Sequence, residues 1–369
     1  MNFRIDQVWV GPDVVDEPMT KSIVQKLGNV EVLEGASVEN GMRKLVMEPD
    51  PFRRGKRIIR LLKFKGNVVR PCPGTKSYVC CGLEILHIGQ GCPMDCAYCA
   101  LQAYLNSPVL DVFVNIGDMY AGLSEYLEQN SGQFHRICTG EFTDSLALDP
   151  LTDLATGLVS LFAEIPNASL ELKTKTDQIT PLLDLDPKGR TVVSFSVNAG
   201  QIIRKYELGS CSLKQRLNAA AHLQENGYKL GFHFDPIIPY PNFETDYYKT
   251  IHDIAVHVRP ESIAWVSMGV LRFVPQLKDI VLARFGALPF FHDAFLRGLD
   301  GKLRLHVNRR IEVYKKLTGC LRDYFPQVRL YLCMESTHVW RQALGIEMEN
   351  NDQLAEYLNE AVCCDDDSR

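Results

Sequence analysis

Short apolar runs rich in β-forming residues alternate with helical patterns along most of the chain, which limits the folds open to it. The runs lie at 83–88, 134–138, 170–173, 192–197, 230–234, 263–268 and 328–332. Helical patterns lie between them, at 119–129, 151–165, 212–226 and 245–258. Because strands that alternate with helices form parallel βαβ units, we expect an α/β protein. About six such units favour a partial, open TIM-type barrel over a closed eight-fold one.

The two ends of the chain show this alternation less clearly. We expect residues 1–82 to form a small α/β lead-in and residues 83–300 to form the barrel. Residues 301–369 are predicted to form a mostly helical region with one strand near Arg329. This last region ends in an acidic tail, in which eight acidic residues after position 346 stand against a single base.

One helix carries start and stop signals of its own. Ser212 and Gln215 form an S-x-x-Q capping box, in which each side chain bonds the backbone N–H of the other residue. Gly227 follows the apolar stripe and suits the end of a helix. We therefore expect a helix between these positions.

Composition and cysteine usage point to a cytoplasmic protein. No window approaches the roughly 18 unbroken apolar residues of a membrane span, so we expect no membrane association. The first ten residues carry Arg4 and Asp6 and lack the apolar core of a signal peptide. Clustered cysteines in a reducing compartment more often bind metal or do redox chemistry than form disulfides.

The cysteine triplet at Cys92, Cys96 and Cys99 carries the strongest chemical signal. Its spacing is C-x3-C-x2-C, it follows a predicted strand directly, and Tyr98 precedes the third cysteine. Three thiolates on one short loop hold three irons of a 4Fe–4S cluster and leave the fourth iron open for a small molecule. The alternatives are a zinc site, which usually needs a fourth protein ligand, or spare buried thiols.

The triplet resembles that of the radical S-adenosylmethionine (SAM) superfamily, whose members use a partial TIM-type barrel. Over residues 60–285 the chain is similar to the spore photoproduct lyase family. The matching positions are 91–99, 101–102, 112–115, 138–139, 174–175, 182–184, 194–198, 227–232, 236–237 and 272–273. The resemblance implies an enzyme that repairs a thymine dimer in DNA with a deoxyadenosyl radical from SAM. The implied partners are lesion-containing DNA and an electron donor such as flavodoxin or ferredoxin.

The resemblance also implies roles for individual residues. Cys138 matches a cysteine that returns a hydrogen atom to the product radical, and Tyr98 matches a tyrosine packed near the cluster. The positions implied to contact SAM are Thr139, Gly140, Glu141, Lys175, Ser196 and Asn198. On the residues alone, Cys138 equally suits a small buried hydrophobe, and the polar positions equally suit strand ends that face water.

Three features depart from the family pattern. Ala100 stands where the lyases usually carry a tyrosine of the hydrogen-return relay, and the Trp/Tyr/Gly/Lys-rich segment that grips damaged DNA is missing. Three further cysteines, Cys72, Cys80 and Cys81, precede the cluster loop. We interpret them as structural thiols, with a second metal site completed by a distant ligand as the alternative. No role is assigned to Cys211, Cys320, Cys333, Cys363 and Cys364.

One stretch of the chain is strongly basic. Residues 53–70 contain eight Lys or Arg and no acid, which suits a nucleic-acid backbone or a solvated strand face.

Two other functions compete with DNA repair. The first competing function is a radical SAM enzyme that acts on a modified base in RNA or on a peptide. The second is a non-enzymatic zinc-binding nucleic-acid module.

Overall fold

The computed structural model describes residues 3–75 and 77–362. In these residues the strands are β1 Gln7–Val10, β2 Glu31–Glu34, β3 Ile58–Leu62, β4 Val69–Pro71, β5 Glu84–Leu86, β6 Gly89–Gln90, β7 Asp95–Cys96, β8 Leu110–Phe113, β9 His135–Cys138, β10 Ala168–Thr174, β11 Thr191–Ser196, β12 Glu207–Leu208, β13 Lys229–Ile237, β14 Ile263–Val270, β15 Arg272–Phe273, β16 Phe295–Arg297, β17 Leu303–Leu305 and β18 Arg329–Leu332. The α-helices are α1 Pro18–Leu27, α2 Ala36–Leu45, α3 Pro51–Gly55, α4 Leu101–Tyr104, α5 Ile116–Gln129, α6 Asp149–Thr152, α7 Leu154–Phe162, α8 Gly200–Tyr206, α9 Leu213–Glu225, α10 Phe243–His257, α11 Pro275–Phe285, α12 Val307–Tyr324, α13 Thr337–Leu344 and α14 Asn351–Asn359. Cys363, Cys364 and the acidic residues after them lie outside the described residues.

The largest sheet is a curled, open half-barrel of eight strands in the order β18-β14-β13-β11-β10-β9-β5-β4. All neighbouring strands are parallel except the edge pair β4–β5. Its parallel strands follow one another in chain order, and each overlaps one of the seven predicted apolar runs. The predicted α/β fold with an open TIM-type barrel is therefore confirmed.

Burial on both faces explains why the strands of this sheet could be predicted from apolar runs in the sequence. All eight residues of β14 are buried. Helices pack against the sheet, with α7 on β10, α9 on β11 and β13, and α12 on β14. Parallel strands covered in this way read as nearly continuous hydrophobic segments. Because the strands are parallel, their carboxyl ends meet at one edge, where the following loops gather.

A second sheet, in the order β2-β1-β3-β8-β6, lies beside the half-barrel. Its own core packs Val8 and Val10 of β1 against Ile59 and Leu61 of β3. Strand β8 comes from the segment expected in the barrel, and β4 of the expected lead-in pairs with β5 in the barrel sheet. The division of the chain at residues 82 and 300 stays a prediction.

The C-terminal part is mostly helical, as predicted, with α12, α13, α14 and the predicted strand near Arg329, which is β18. Strand β17, at Leu303–Leu305, lies in the same region and was not predicted. A small antiparallel sheet of β15, β17 and β16 precedes α12. Helix α9 also begins as predicted, because both hydrogen bonds of the Ser212–Gln215 capping box are present. Gly227, with φ of +79°, follows the end of this helix. No helix among the described residues is long and apolar enough to cross a membrane.

Asp149, at the start of α6, is a buried carboxyl group whose ionisation opposes folding. One oxygen accepts a 2.8 Å hydrogen bond from the Ala155 N–H, and the other finds no partner among the described residues. Burial raises the pKa of Asp149 from 3.8 to about 6. A raised carboxyl pKa favours the folded state at low pH, and this contribution is lost as the pH rises through the folded value.

Asp149→Asn is therefore expected to stabilise the fold most at high pH. The gain in the free energy of unfolding should reach on the order of 2–3 kcal/mol at pH 8, from a pKa difference of about two units. It should shrink towards pH 4, where the wild-type carboxyl is protonated in the folded state. Urea unfolding of both proteins at pH 5 and pH 8 measures the difference in their free energies of unfolding. An equal difference at the two pH values would contradict the argument.

Candidate active site

The loop between β6 and α4 carries the cysteine triplet and is fixed at several points. Gly91 has φ of +86°, and a Cβ there would lie 2.9 Å from the Val109 carbonyl oxygen, so only glycine fits this approach. Within the loop, β7 pairs with β12 in antiparallel register. The Ala97 N–H also donates to the Tyr206 carbonyl at 2.8 Å. The loop is therefore part of the framework and holds a defined shape.

Two cationic side chains anchor the same loop from outside. Lys56, just before β3, donates from Nζ to the carbonyl oxygens of Cys92, at 2.8 Å, and Met94. Arg284, on α11, makes two hydrogen bonds of 3.0 Å to the carboxylate of Asp95. One side chain next to β3 and one on α11 thus hold the cysteine loop from two distant parts of the chain.

A cavity of about 790 Å³ opens in front of the loop, at the carboxyl ends of the barrel strands. Cys92, Cys96 and Cys99 all line it. Of the other predicted site residues, those in its wall are Tyr98, Gly140, Glu141, Lys175 and Ser196. The loop and the strand ends therefore share one space, as the sequence predicts.

The donor set suits the predicted 4Fe–4S cluster, which stays a prediction. In residues 3–75 and 77–362 no three His, Cys, Asp or Glu side chains are placed to hold a metal ion. Three spaced thiols that face an open cavity suit a cluster with one free iron. Burial raises the pKa of the Cys92 thiol to about 12, so a bound cation is what would hold it as a thiolate.

Cys138, the last residue of β9, is fully buried directly behind the cavity wall. Its Sγ accepts a 3.2 Å hydrogen bond from the N–H of Gly140, which lines the cavity. Burial raises the pKa of the Cys138 thiol to about 12, so its sulfur keeps its hydrogen at neutral pH. Cys138 is thus a protonated thiol two positions from a residue of the cavity wall, and its role as hydrogen donor stays a prediction.

Tyr98 presents its ring to the cavity while its hydroxyl is engaged elsewhere. The hydroxyl donates to one carboxylate oxygen of Glu207, and Arg216 donates to the other at 2.6 Å. Burial, followed by the Glu207 charge, raises the pKa of Tyr98 well above its usual range. This buried network fixes the ring next to Cys96 and Cys99.

The polar residues predicted to contact SAM divide into two groups. Gly140, Glu141, Lys175 and Ser196 line the cavity. Thr139 and Asn198 do not, and their side chains are engaged within the protein.

Their engaged contacts are short. The Thr139 hydroxyl donates to the Ser145 hydroxyl at 2.8 Å, and the Asn198 amide donates to the Pro236 carbonyl at 2.9 Å while accepting from the Tyr247 hydroxyl. Their predicted contact with SAM stays a prediction, and these bonds suit a role in shaping the wall.

Several polar groups of the cavity were not assigned from the sequence, among them Asp144 and the pair of Arg272 with Asp235. Asp144 accepts hydrogen bonds from the Lys175 N–H and the Thr174 hydroxyl, each at 2.8 Å, and so fixes the end of β10. Arg272 pairs with Asp235, which also lines the cavity, through bonds of 3.2 and 2.9 Å. Asp144 lies in the loop after β9, Asp235 near the end of β13 and Arg272 just after β14. These positions were the available signal, because strand ends gather at this edge.

The basic run at 53–70 does not form a free cationic strip. Arg54 and Arg57 pair with Asp6, and Arg60 pairs with Asp111. Lys56, Lys63 and Lys65 pair with Asp95, Asp118 and Asp13, in that order. Charges that are already matched release few counterions on binding DNA, so the run gives weak support to a backbone-binding role.

Comparisons with known proteins place the chain in a family. The family model for spore photoproduct lyase matches residues 3–288. A spore photoproduct lyase from a Geobacillus species is 28% identical over 201 residues, which are 54% of this chain and 59% of that protein. The Bacillus subtilis spore photoproduct lyase is 30% identical over 158 residues, 42% of this chain and 46% of that protein. The matches span about half the length of these curated relatives.

Solved structures show the same fold. A spore photoproduct lyase variant with bound AdoMet and dinucleoside spore photoproduct matches with a TM-score of 0.81 at 22% identity, covering 90% of this chain and all of that one. A spore photoproduct lyase complexed with dinucleoside spore photoproduct matches with a TM-score of 0.79 and the same identity and coverage. With the family model spanning most of its length, the chain belongs to the spore photoproduct lyase family.

Proposed function

We propose that the chain is a radical SAM lyase that repairs the spore photoproduct, a thymine dimer in DNA. One observation carries the proposal: the cysteine triplet shares a single cavity with Lys175, Ser196 and Glu141, and Cys138 lies directly behind its wall. Solved relatives are described with bound AdoMet and dinucleoside spore photoproduct, which suits a cavity of this composition.

Cys92, Cys96 and Cys99 would hold a 4Fe–4S cluster, and SAM would occupy the adjoining cavity. When bound, the cluster would supply the electron that cleaves SAM to a deoxyadenosyl radical. Lys175 and Glu141 carry opposite charges that suit the carboxylate and amino groups of SAM. Although burial opposes it, the Glu207 carboxylate raises the pKa of Lys175, so the cation persists at neutral pH. A flavodoxin or ferredoxin in the cytoplasm would supply the electron.

Cys138 would act after the dimer has been opened. Its S–H hydrogen atom moves to the product radical, a C–H bond forms, and the unpaired electron remains on Sγ. Exclusion from solvent protects this thiyl radical from side reactions, and Cys138 is fully buried. Lesion bases must leave the DNA stack to reach this cavity, which costs a few kcal/mol and less at a damaged site.

A repair assay tests the proposal directly. The protein is reconstituted anaerobically with iron and sulfide, reduced, and given SAM with the dinucleoside spore photoproduct. Intact thymines that appear only with SAM are the expected result. Colourless protein that binds zinc and no iron would overturn the proposal in favour of a nucleic-acid module.

A second candidate function, a radical SAM enzyme for a modified RNA base or a peptide, has one observation in its favour. Ala100, in place of the relay tyrosine of the lyases, lines the cavity. Deoxyadenosine production without thymine recovery would support this candidate. Cys138→Ala would then leave turnover of the true substrate unchanged.

Lys56→Met is expected to weaken retention of the cluster. The change keeps the length of the side chain and removes the donor to the carbonyl oxygens of Cys92 and Met94. Outer contacts of this kind typically change metal affinity about 10- to 100-fold, so iron should be lost to a chelator roughly ten times faster. Bleaching of the visible absorbance measures the rate.

Lys63→Met is the matched control for this change. Lys63 forms an exposed ion pair with Asp118 on the same segment, and such pairs contribute little. Its cluster should bleach at the wild-type rate. Equal rates for the two variants would show that Lys56 does not support the loop.

A further inference from the structure

A second group of thiols lies beside the cavity, away from the cluster loop. Cys72, Cys80 and Cys81 come from the segment between β4 and β5, and Cys333 directly follows β18. The sequence offered no link between Cys333 and the other three, because about 250 positions separate it from them. In the fold, Cys333 and Cys81 are neighbours whose side chains share a hydrogen bond.

Backbone pairing fixes this meeting of the two thiols. Val79 and Glu335 form an antiparallel bridge, with the Val79 N–H donating to the Glu335 carbonyl at 2.9 Å. The Met334 N–H donates in return to the Val79 carbonyl at 3.1 Å. Cys81 follows Val79 by two positions and Cys333 precedes Glu335 by two, so opposite chain directions bring them side by side.

The electrostatic surroundings shift the pKa values of the two thiols in opposite directions. The hydrogen bond from Cys333 lowers the pKa of Cys81, against the opposing effect of burial, and the charges of Arg136 and Lys173 act in the same direction. The same hydrogen bond and burial raise the pKa of Cys333. A thiol of lowered pKa beside a partner thiol suits thiol–disulfide exchange, in which the thiolate form attacks.

The two thiols belong to segments that both contribute to the cavity wall. Pro73, Gly74 and Thr75, from the segment that carries Cys81, line the cavity. Met334, next to Cys333, also lines it, and Lys302 donates to the Met334 sulfur at 3.3 Å. A covalent bond between the thiols would join these two wall segments, and Cys333 is partly exposed to solvent.

We propose that Cys81 and Cys333 form a redox-active dithiol, which low-molecular-weight disulfides oxidise to a disulfide that ties the two wall segments together. The Cys81 thiolate attacks a disulfide R–S–S–R, forming a Cys81–S–S–R bond and releasing RS⁻. Cys333 then loses its proton to solvent and displaces the second RS⁻, which forms the Cys81–Cys333 bond. Two protein thiols are oxidised, and one small disulfide is reduced to two thiols.

Cross-linking under controlled redox conditions tests the proposal and needs no substrate. Anaerobic, cluster-loaded protein is incubated with hydroxyethyl disulfide, the remaining thiols are alkylated, and digested peptides are read by mass spectrometry. Wild-type protein should yield a peptide joining the segment of Cys81 to that of Cys333. Excess mercaptoethanol should return it to two separate peptides, while iron content stays constant.

Matched variants identify the two sulfurs. Cys80→Ser should keep the cross-linked peptide, and Cys81→Ser and Cys333→Ser should each lose it. Absence of the peptide from wild-type protein, or its persistence in Cys81→Ser, would overturn the proposal. So would zinc or extra iron that is bound by wild-type protein and lost from both Cys81→Ser and Cys333→Ser, because the thiols would then be metal ligands. These results can be interpreted even if the repair assay fails, because none of them depends on the substrate or on repair activity.

Discussion

Replacing Cys96 with alanine is expected to remove the iron and all SAM-dependent formation of deoxyadenosine. Cys96 is the most deeply buried of the three loop cysteines, and β7 holds it against β12. Two thiols on one loop leave two irons of the cluster without a protein ligand, whereas the intact triplet leaves only one. Loss of even an outer contact lowers metal affinity about 10- to 100-fold, so loss of a ligand should lower activity by more than about 100-fold.

Three measurements check this result against a plain folding defect. Iron per chain and visible absorbance report the cluster, and the thermal midpoint of the iron-free proteins reports the fold. Cys320→Ala is the matched control, because Cys320 lies on α12 and does not line the cavity. Iron retained by Cys96→Ala, or lost equally from Cys320→Ala, would contradict the assignment of the loop.

The barrel could be predicted because its determinants are local in sequence. Strands such as β10 and β14 are buried on both faces and therefore appear as short apolar runs. The capping box of α9 is likewise contained in four consecutive residues. Strands β4 and β12 are only three and two residues long, too short for any periodicity, and neither was predicted.

The same holds for the site: features that depend on neighbouring residues could be predicted, and features that depend on distant residues could not. The cysteine triplet lies within eight consecutive residues, and its spacing, Tyr98 and the preceding apolar run, all local in sequence, predicted it. The contact of Arg284 with Asp95 spans 189 positions, and no spacing rule reaches that far. The basic run at 53–70 looked free for the same reason, since Asp6 and Asp111 lie well outside it. Composition showed the charges, but only the fold shows that they are paired.

Cys138→Ala is expected to separate the two halves of the proposed reaction. The change removes the Cys138 sulfur and its hydrogen but leaves the cluster cysteines and the cavity wall in place. Deoxyadenosine should still form within about two-fold of the wild-type rate. Recovery of intact thymines should fall more than about ten-fold, a barrier difference of about 1.4 kcal/mol, because the product radical loses its hydrogen donor.

Cys138→Ser distinguishes a chemical role from a packing role. Serine nearly preserves the volume and still offers an acceptor for the Gly140 N–H, but its O–H bond is too strong to donate a hydrogen atom readily. Both variants should therefore release altered product, seen by chromatography as species other than intact thymines. If Cys138 serves only as a small buried hydrophobe, Cys138→Ala recovers thymines at the wild-type rate while Cys138→Ser, with its buried hydroxyl, lowers stability. The recovery of intact thymines by the two variants thus decides between the chemical role and the packing role, because hydrogen return requires sulfur and packing does not.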